Sequence, residues 1–565
     1  MFVNLSGRLN LNSQNFYLNS FFALAIFENL IAATWNVDPY HEGALFPTAV
    51  GLADGLAPFR GVSQQYGFLG PLLVSLLLRV FGNYLIVERL FGFTLILAIA
   101  AAFYFNLRTW TSKLNSKLIT LLWLSISPIW SWPFGNNALS GGYWPNHLGI
   151  LMVLLGLFFL QRSKLSASVA GFLVLLSSQA RVEFIFVWLF MTAAVYLKEK
   201  EKRIYWSAGS FVSIILVYEY LYLNEAVKEW LRQTFLVWTM NPPDVPEINF
   251  NFFLFNAINF IGVAMIGYLL LVSAVFFEKK FNNLWISVTV NSCFIVILLT
   301  IPHFLHFQLK FRNYDFITTV KYIFSNTLFS YINLTIALSL ISFAYLIAKQ
   351  RRLFFEKFSP KNSNLLILFS ASIGLLSLFH NFNPDYSQMI WPVFGLLLVA
   401  ILTNFHIFSA FSAYKVVIPT LVLNLILVSS FTFFSHLSHQ VHSYKTQMLK
   451  GLYGNSTAQV KSLDNSFDLI SKSSGKRQLR MVCQTGLFSV NRSGFLGSDK
   501  WTWNQQPPEM ISHRLDHLKV GNTVLACHLD SEDASRIDVL LRQKKLEVVD
   551  KNPSFTLYRV TKAFG

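Results

Sequence analysis

The sequence predicts a polytopic α-helical membrane protein carrying a small C-terminal α/β domain, and three observations predict it. Of the 565 residues, 54% are hydrophobic and only 13% charged, with mean hydropathy +0.47; soluble domains carry about 25% charged residues. Apolar runs of roughly 20 residues, the length that crosses a bilayer, recur as far as residue 435. Beyond Ser435 the composition changes to that of a soluble domain. The formal net charge of +17 belongs to loop lysines and arginines, and no RNA- or DNA-binding motif accompanies it. Nucleic acid is excluded as a partner; membrane lipid is implied.

Taken in order, the segment Met1 to Asn15 has one basic residue, Arg8, and no small-residue cleavage site follows the first apolar run. Residues 16–35 therefore read as a retained first span. Further spans are expected at 85–107, 117–134, 145–161, 167–180, 184–197, 204–222, 253–277, 284–302, 322–348, 364–380, 389–404 and 414–434, about thirteen in all. An odd number sets the two chain ends on opposite sides. Arg108, Lys113, Lys117, Arg162, Lys164, Lys198, Lys200, Lys202, Arg203, Lys279, Lys280, Lys349, Arg351, Arg352 and Lys357 fall in one alternating set of loops. The positive-inside rule makes that set cytoplasmic. The expected location is the plasma membrane, with the N-terminus inside and the C-terminal domain extracytoplasmic.

The membrane domain is assigned to 1–435, with a long first exterior loop at 36–84. Within that loop Ala44 to Ala57 alternates apolar and small residues. The run Phe68 to Phe81, interrupted by Gly70-Pro71 and Arg79, suits a helix lying in the interface. A second exterior loop, 223–251, places Val227, Trp230, Leu231 and Leu236 at helical spacing. A third, 302–321, holds His303, His306, Lys310, Arg312 and Asp315.

The soluble domain is assigned to 436–565. Val460, Leu463, Phe467 and Ile470 mark an amphipathic helix, and helices are expected at 510–518 and 533–543. Strands are expected at 479–483, 523–528, 546–549 and 555–560. Cys483 and Cys527, both in strands, form a disulfide if this region meets an oxidising compartment and their Cα atoms come within reach. Trp501 and Trp503 read either as loop packing or as a carbohydrate-stacking surface. No phosphate loop, zinc spacing or triad order is present in this domain.

Three polar clusters interrupt the apolar pattern, where ionised groups are costly and usually functional. The first is Asp38-Pro39-Tyr40-His41-Glu42-Gly43, with Arg60 and Tyr66 later in the same loop. Asp38 and Glu42 are four apart, so a helix starting at Pro39 sets them on one face. The pair then either does acid–base work, or Asp38 serves only as an N-cap ahead of a first-turn proline. The second is Gln179-Ala180-Arg181-Val182-Glu183, either a site or a self-satisfied ion pair closing a hairpin. The third is Asn383-Pro384-Asp385-Tyr386-Ser387-Gln388, which is also an ordinary turn sequence. All three fall on the exterior side. Glu28, inside the first span, is either functional or bonded to a neighbouring helix. The histidines at 303, 306, 380, 436, 439 and 442 lack metal-ligand spacing and read as loop residues.

The first-loop acidic motif, Pro58-Phe59-Arg60 with Gln65-Tyr66-Gly67, Ala180-Arg181-Val182-Glu183, and Pro384-Asp385-Tyr386-Ser387-Gln388 ahead of Trp391-Pro392 together resemble the GT-C class of membrane glycosyltransferases. The similarity is greatest to bacterial relatives of protein O-mannosyltransferases and aminoarabinose transferases. The resemblance implies a polyprenyl-phosphate-linked sugar donor entering from the lipid, and transfer on the exterior face. By the family pattern Asp38 is the general base, Glu42 and His41 support it, bind the acceptor or coordinate an ion, and Arg60 and Arg181 meet the lipid phosphate. Tyr66, Glu183, Asp385 and Gln388 complete the expected donor contacts. Asn383 and Gln388 stand where an Arg or His is expected near Asp385. A divalent cation is compatible with the motif but not implied by it. The sugar and the acceptor are not specified by these residues. Two other readings stay open: a surface-polysaccharide polymerase or ligase, and a lipid-linked-sugar flippase.

Overall fold

The computed structural model describes residues 3–35, 37, 39–59, 62, 66–126, 145–239, 269, 272–281, 283–295, 297, 339–340, 360–379, 384–404, 414–437, 442–454, 460–461, 463–465, 479–483, 520–521, 523–527, 531–551 and 556–562. The helices in chain order are α1 (Val3–Thr34), α2 (Pro39–Ala53), α3 (Leu69–Phe81), α4 (Leu85–Leu107), α5 (Lys113–Ile126), α6 (Pro145–Leu160) and α7 (Lys164–Leu176). They continue with α8 (Phe184–Lys198), α9 (Arg203–Leu223), α10 (Val227–Thr239), α11 (Pro360–Leu375), α12 (Pro384–Asn404) and α13 (Tyr414–Leu437). Residues 272–280 and Leu284–Ile295 are helical as well.

The apolar runs become helices that pack through one large core. Ala25, Ile99, Phe103, Leu121, Ile150, Val174, Val187, Trp206, Leu368, Phe394 and Ile426 are among its buried members, drawn from α1, α4–α9 and α11–α13. Buried amides and hydroxyls tie the helices together: Asn29 Nδ2 donates to Leu124 O (3.0 Å), Asn106 Nδ2 to Leu154 O (2.9 Å) and Ser430 Oγ to Glu28 (2.5 Å). Glu28 is thus bonded to a neighbouring helix, one of its two readings. Gly209 of α9 meets α7 so closely that a Cβ there would stand 1.7 Å from Ser168 O, the small-residue packing common where helices meet without water. The outer surface is apolar. On α9 alone Phe211, Val212, Ile214, Ile215, Leu216, Tyr218 and Tyr222 are exposed, a face that lipid rather than water solvates.

Several elements depart from the sequence reading. The stretch from Ala44, read as an alternating loop, is helical as far as Ala53. The run 68–81 is the expected helix but without the expected interruption: Pro71 lies in the first turn of α3, where its missing N–H leaves no gap. Arg79 does not interrupt it but reaches across to α2, donating from Nε to Ala53 O (3.1 Å) and from Nη2 to Leu52 O (2.9 Å). Those carbonyls lie in the last turn of α2, where helical N–H donors run out, and Leu52 O also accepts from Gly55 N–H (3.2 Å). Pro384 opens α12 instead of making a free-standing turn. The expected span 322–348 lies almost entirely outside the described residues, as do Trp501, Trp503 and the helix expected at 510–518.

Among the described residues six strands follow: β1 (His442–Ser443), β2 (Tyr453–Gly454), β3 (Leu479–Cys483), β4 (Thr523–Cys527), β5 (Leu546–Lys551) and β6 (Thr556–Val560). β1 and β2 form an antiparallel pair, to which Trp35 adds a parallel bridge at Tyr453. The other four make a mixed sheet of order β3-β4-β6-β5, with β3 and β4 parallel and the remaining pairs antiparallel. Cys483 and Cys527 are register partners in the parallel pair. Helix α14 (Ser531–Arg542) covers one face of the sheet, where Val524, Ile537, Leu540, Leu546, Tyr558 and Val560 are buried. Leu557, on the other face of β6, joins a second core with Val37, Phe46, Val74, Leu85, Leu148, Tyr444 and Leu449. Leu557 thereby joins the C-terminal sheet to the core that residues of α2, α3 and the start of α4 share.

The helix ends sort by charge. Arg108, Lys113, Arg162, Lys164, Lys198, Lys202 and Arg203 lie at one end, where Lys202 Nζ donates to Leu160 O (2.9 Å) and Ser363 bonds Glu199. The end of α1, the starts of α4, α6, α8 and α12, and the ends of α7 and α13 meet at the other.

Candidate active site

Glu42 and Arg89 form the first centre at this second end. Pro39 opens α2 with its φ already helical, so Glu42 is carried on the first turn. Arg89 lies on the first turns of α4 and is fully buried. Its Nε donates to Glu42 Oε1 (2.5 Å), while Nη1 donates to Trp35 O (2.8 Å) and Ala33 O (3.3 Å). Glu88 is buried beside the pair, and its Oε2 has no hydrogen-bond partner among the described residues.

The C-terminal segment closes this centre. Asp464 accepts from the backbone N–H groups of Lys445 (2.8 Å) and Thr446 (2.9 Å), which fixes the loop that inserts Tyr444. The Tyr444 phenol sits beside Arg89, Glu42 and the Val37 backbone; burial, opposed by Arg89, pushes its pKa up to about 12. The folded chain holds this phenol neutral while the unfolded chain, with a value near 10.0, gives up its proton first as pH rises. Its contribution is complete below about pH 10 and is lost between about pH 10 and 12, roughly 3 kcal/mol at most. Thermal unfolding across that range should show a wild-type loss that Tyr444→Phe lacks.

Arg181 is the second centre. The chain leaves α7 through a short 3-10 turn (Ser177–Gln179), and α8 begins at Phe184, so Arg181 and Glu183 sit in the tight link between two helices. Both are buried. Arg181 donates from Nε (2.8 Å) and Nη2 (2.7 Å) to Glu183 Oε1, and from Nη1 to Asn146 Oδ1 (3.3 Å). Its guanidinium lies 5.3 Å from the centre of the Tyr66 ring, a cation–π arrangement. Ser377 Oγ donates to Glu183 O (3.1 Å), which adds the end of the α11 segment. Gly67 N–H donates to Ala180 O (3.2 Å), and a Cβ at Gly67 would stand 1.9 Å from Gln179 O. Gly67→Ala must push the two backbones apart. Thermal or denaturant unfolding should show a loss on the order of 1–3 kcal/mol, with Tyr66 fluorescence altered as the ring leaves Arg181.

Of the residues expected from sequence, Tyr66, Arg181 and Glu183 are brought into one cluster, and Glu42 is set on Arg89. Asp38 and Arg60 lie outside the described residues. His41 is on the first turn of α2, and Asp385 and Gln388 are on the first turns of α12, where only the backbone is described. Phe59, immediately before Arg60, has φ 61 and is buried, with Gln233 Nε2 of α10 donating to its carbonyl (2.8 Å). A bulky residue in the left-handed region is held there by its surroundings. Arg89, Asn146 and Tyr444 were not singled out from sequence. Glu88-Arg89, two adjacent ionisable residues at the start of an otherwise apolar span, was the available signal. Among the described residues no three His, Cys, Asp or Glu side chains group as metal ligands.

No family model matches the chain, and no curated protein does. The chain is similar to two solved structures of ArnT from Cupriavidus metallidurans. One is bound to undecaprenyl phosphate, with 11% identity and TM-score 0.42 over 96% of this chain and 97% of that one. The other is in the apo state, with 10% identity and TM-score 0.43 over 97% and 98%.

Proposed function

We propose that this protein transfers a sugar from a polyprenyl-phosphate donor to an acceptor hydroxyl at the extracytoplasmic face of the membrane, with Asp38 as general base. The observation that carries the reading is the gathering of the Glu42 helix start, Tyr66, Arg181 and Glu183 at the helix end opposite the basic residues. Cytoplasmic loops are the basic ones, so the cluster faces outward. The apolar outer surface gives a lipid-borne donor a lateral route. Asp38 takes the proton of the acceptor hydroxyl as its oxygen bonds the anomeric carbon, and the bond from that carbon to the phosphate oxygen breaks. The lipid phosphate leaves as an anion that Arg60 and Arg181 are suited to hold, because a guanidinium fork matches phosphate oxygens. Tyr66 and Glu183 fix Arg181; Asp385 and Gln388 are assigned to the donor sugar.

The test is release of polyprenyl phosphate from sugar-loaded donors by purified protein, with Asp38→Asn beside the wild type. Transfer that depends on Asp38 supports the proposal. Chain extension of a lipid-linked glycan would favour the polymerase or ligase, and donor movement across vesicles without release would favour the flippase.

A further inference from the structure

We infer that Arg89 is the positioning residue for the acidic motif, clamping the chain on both sides of Asp38. The inference rests on the assignment of Asp38 as base. One guanidinium holds the carbonyls of Ala33 and Trp35 before Asp38 and the carboxylate of Glu42 after it. Trp35 and Glu42, which flank Asp38 in the sequence, are thereby both held by one fully buried side chain. The upstream carbonyls belong to the end of α1, which has no further helical N–H to offer them. The downstream carboxylate belongs to the first turn of α2. Arg89 therefore ties the end of α1 to the start of α2. The Trp35 bridge to Tyr453 and the Tyr444 phenol meet the same segment from the C-terminal side.

A lysine in place of Arg89 keeps the charge opposite Glu42 but lacks the fork that reaches both anchors. This separates a clamp from a simple counter-charge. Misplacing a reacting group by about an ångström costs about a hundredfold in rate, so the effect belongs in kcat rather than in donor binding.

The experiment uses full-length protein in lipid nanodiscs, comparing wild type, Arg89→Lys, Arg89→Gln and the double variant Glu42→Gln/Arg89→Met. Amide hydrogen exchange of residues 35–43 is followed beside sugar release from a polyprenyl-phosphate donor. The double variant leaves no charge of the pair behind and keeps the test alive if Arg89→Gln does not fold. The expected result is exchange at least about tenfold faster at 35–43, unchanged exchange in α6 to α8, and kcat lowered about ten- to a hundredfold with KM for donor within about threefold. Arg89→Lys should recover little of either. Unchanged exchange, full recovery by lysine, faster exchange with unchanged kcat, or a raised KM at constant kcat would each overturn the inference. If wild-type protein releases no sugar, the proposed reaction fails on its own, and the exchange data still decide whether Arg89 clamps residues 35–43.

Discussion

Asp38→Asn should lower the turnover of sugar transfer by about 10²–10⁴-fold, the contribution of a positioned general base, while KM for donor stays within roughly threefold. The substitution is chosen because it separates the two roles the motif permits. Asparagine caps a helix about as well as aspartate, so α2 should still start at Pro39 and the melting temperature should hold. An amide has no lone pair basic enough to take the hydroxyl proton. Loss of turnover without loss of stability therefore points to the base, and loss of stability alone points to the cap. The acid limb of the wild-type kcat/KM profile, where Asp38 takes up its proton and stops acting, should be missing from the residual activity of the variant. Turnover within about threefold of wild type would rule Asp38 out as the base.

Arg181→Met should destabilise the protein by about 3–5 kcal/mol, the cost of leaving one partner of a buried ion pair without the other. Glu183 is buried, and the guanidinium that donates twice to its carboxylate would be gone. The double variant Arg181→Met/Glu183→Gln removes both charges and should recover most of that stability. If Arg181 also meets the donor phosphate, the double variant stays folded but requires at least about tenfold more donor for half-maximal turnover, the loss of one charge-assisted hydrogen bond. A double variant with wild-type KM would leave Arg181 as a hairpin closure alone. Denaturant unfolding and donor titration, run on the same preparations, read out the two effects separately.

Helix α4 was legible to the residue, because a 23-residue apolar run has only one way to satisfy its backbone in lipid. Helix α10 was legible from the spacing of Val227, Trp230, Leu231 and Leu236. The pairing of Arg181 with Glu183 was readable because the partners are two residues apart. What stayed hidden is long-range: the partner of Glu42 lies 47 residues on, and Tyr444 arrives from the far end of the chain. No local period marks such contacts. The first loop was misread for a different reason. Leu45 to Leu52 is buried on all sides, and a helix buried all round has no amphipathic stripe to betray it. Helix α3 was legible as a helix over 68–81; only the interruption read into Gly70-Pro71 is absent, since proline breaks a helix interior but not its first turn.

Helix α2 is gripped at one end by Arg89 through Glu42 and at the other by Arg79 through the carbonyls of Leu52 and Ala53. Between the grips stands Pro47, which cannot donate to the carbonyl one turn back at Gly43. The result is a beam fixed at both supports and notched near its centre. The two arginines tie its ends to α4 and α3 respectively. The missing hydrogen bond makes Gly43–Pro47 the place where α2 bends most easily.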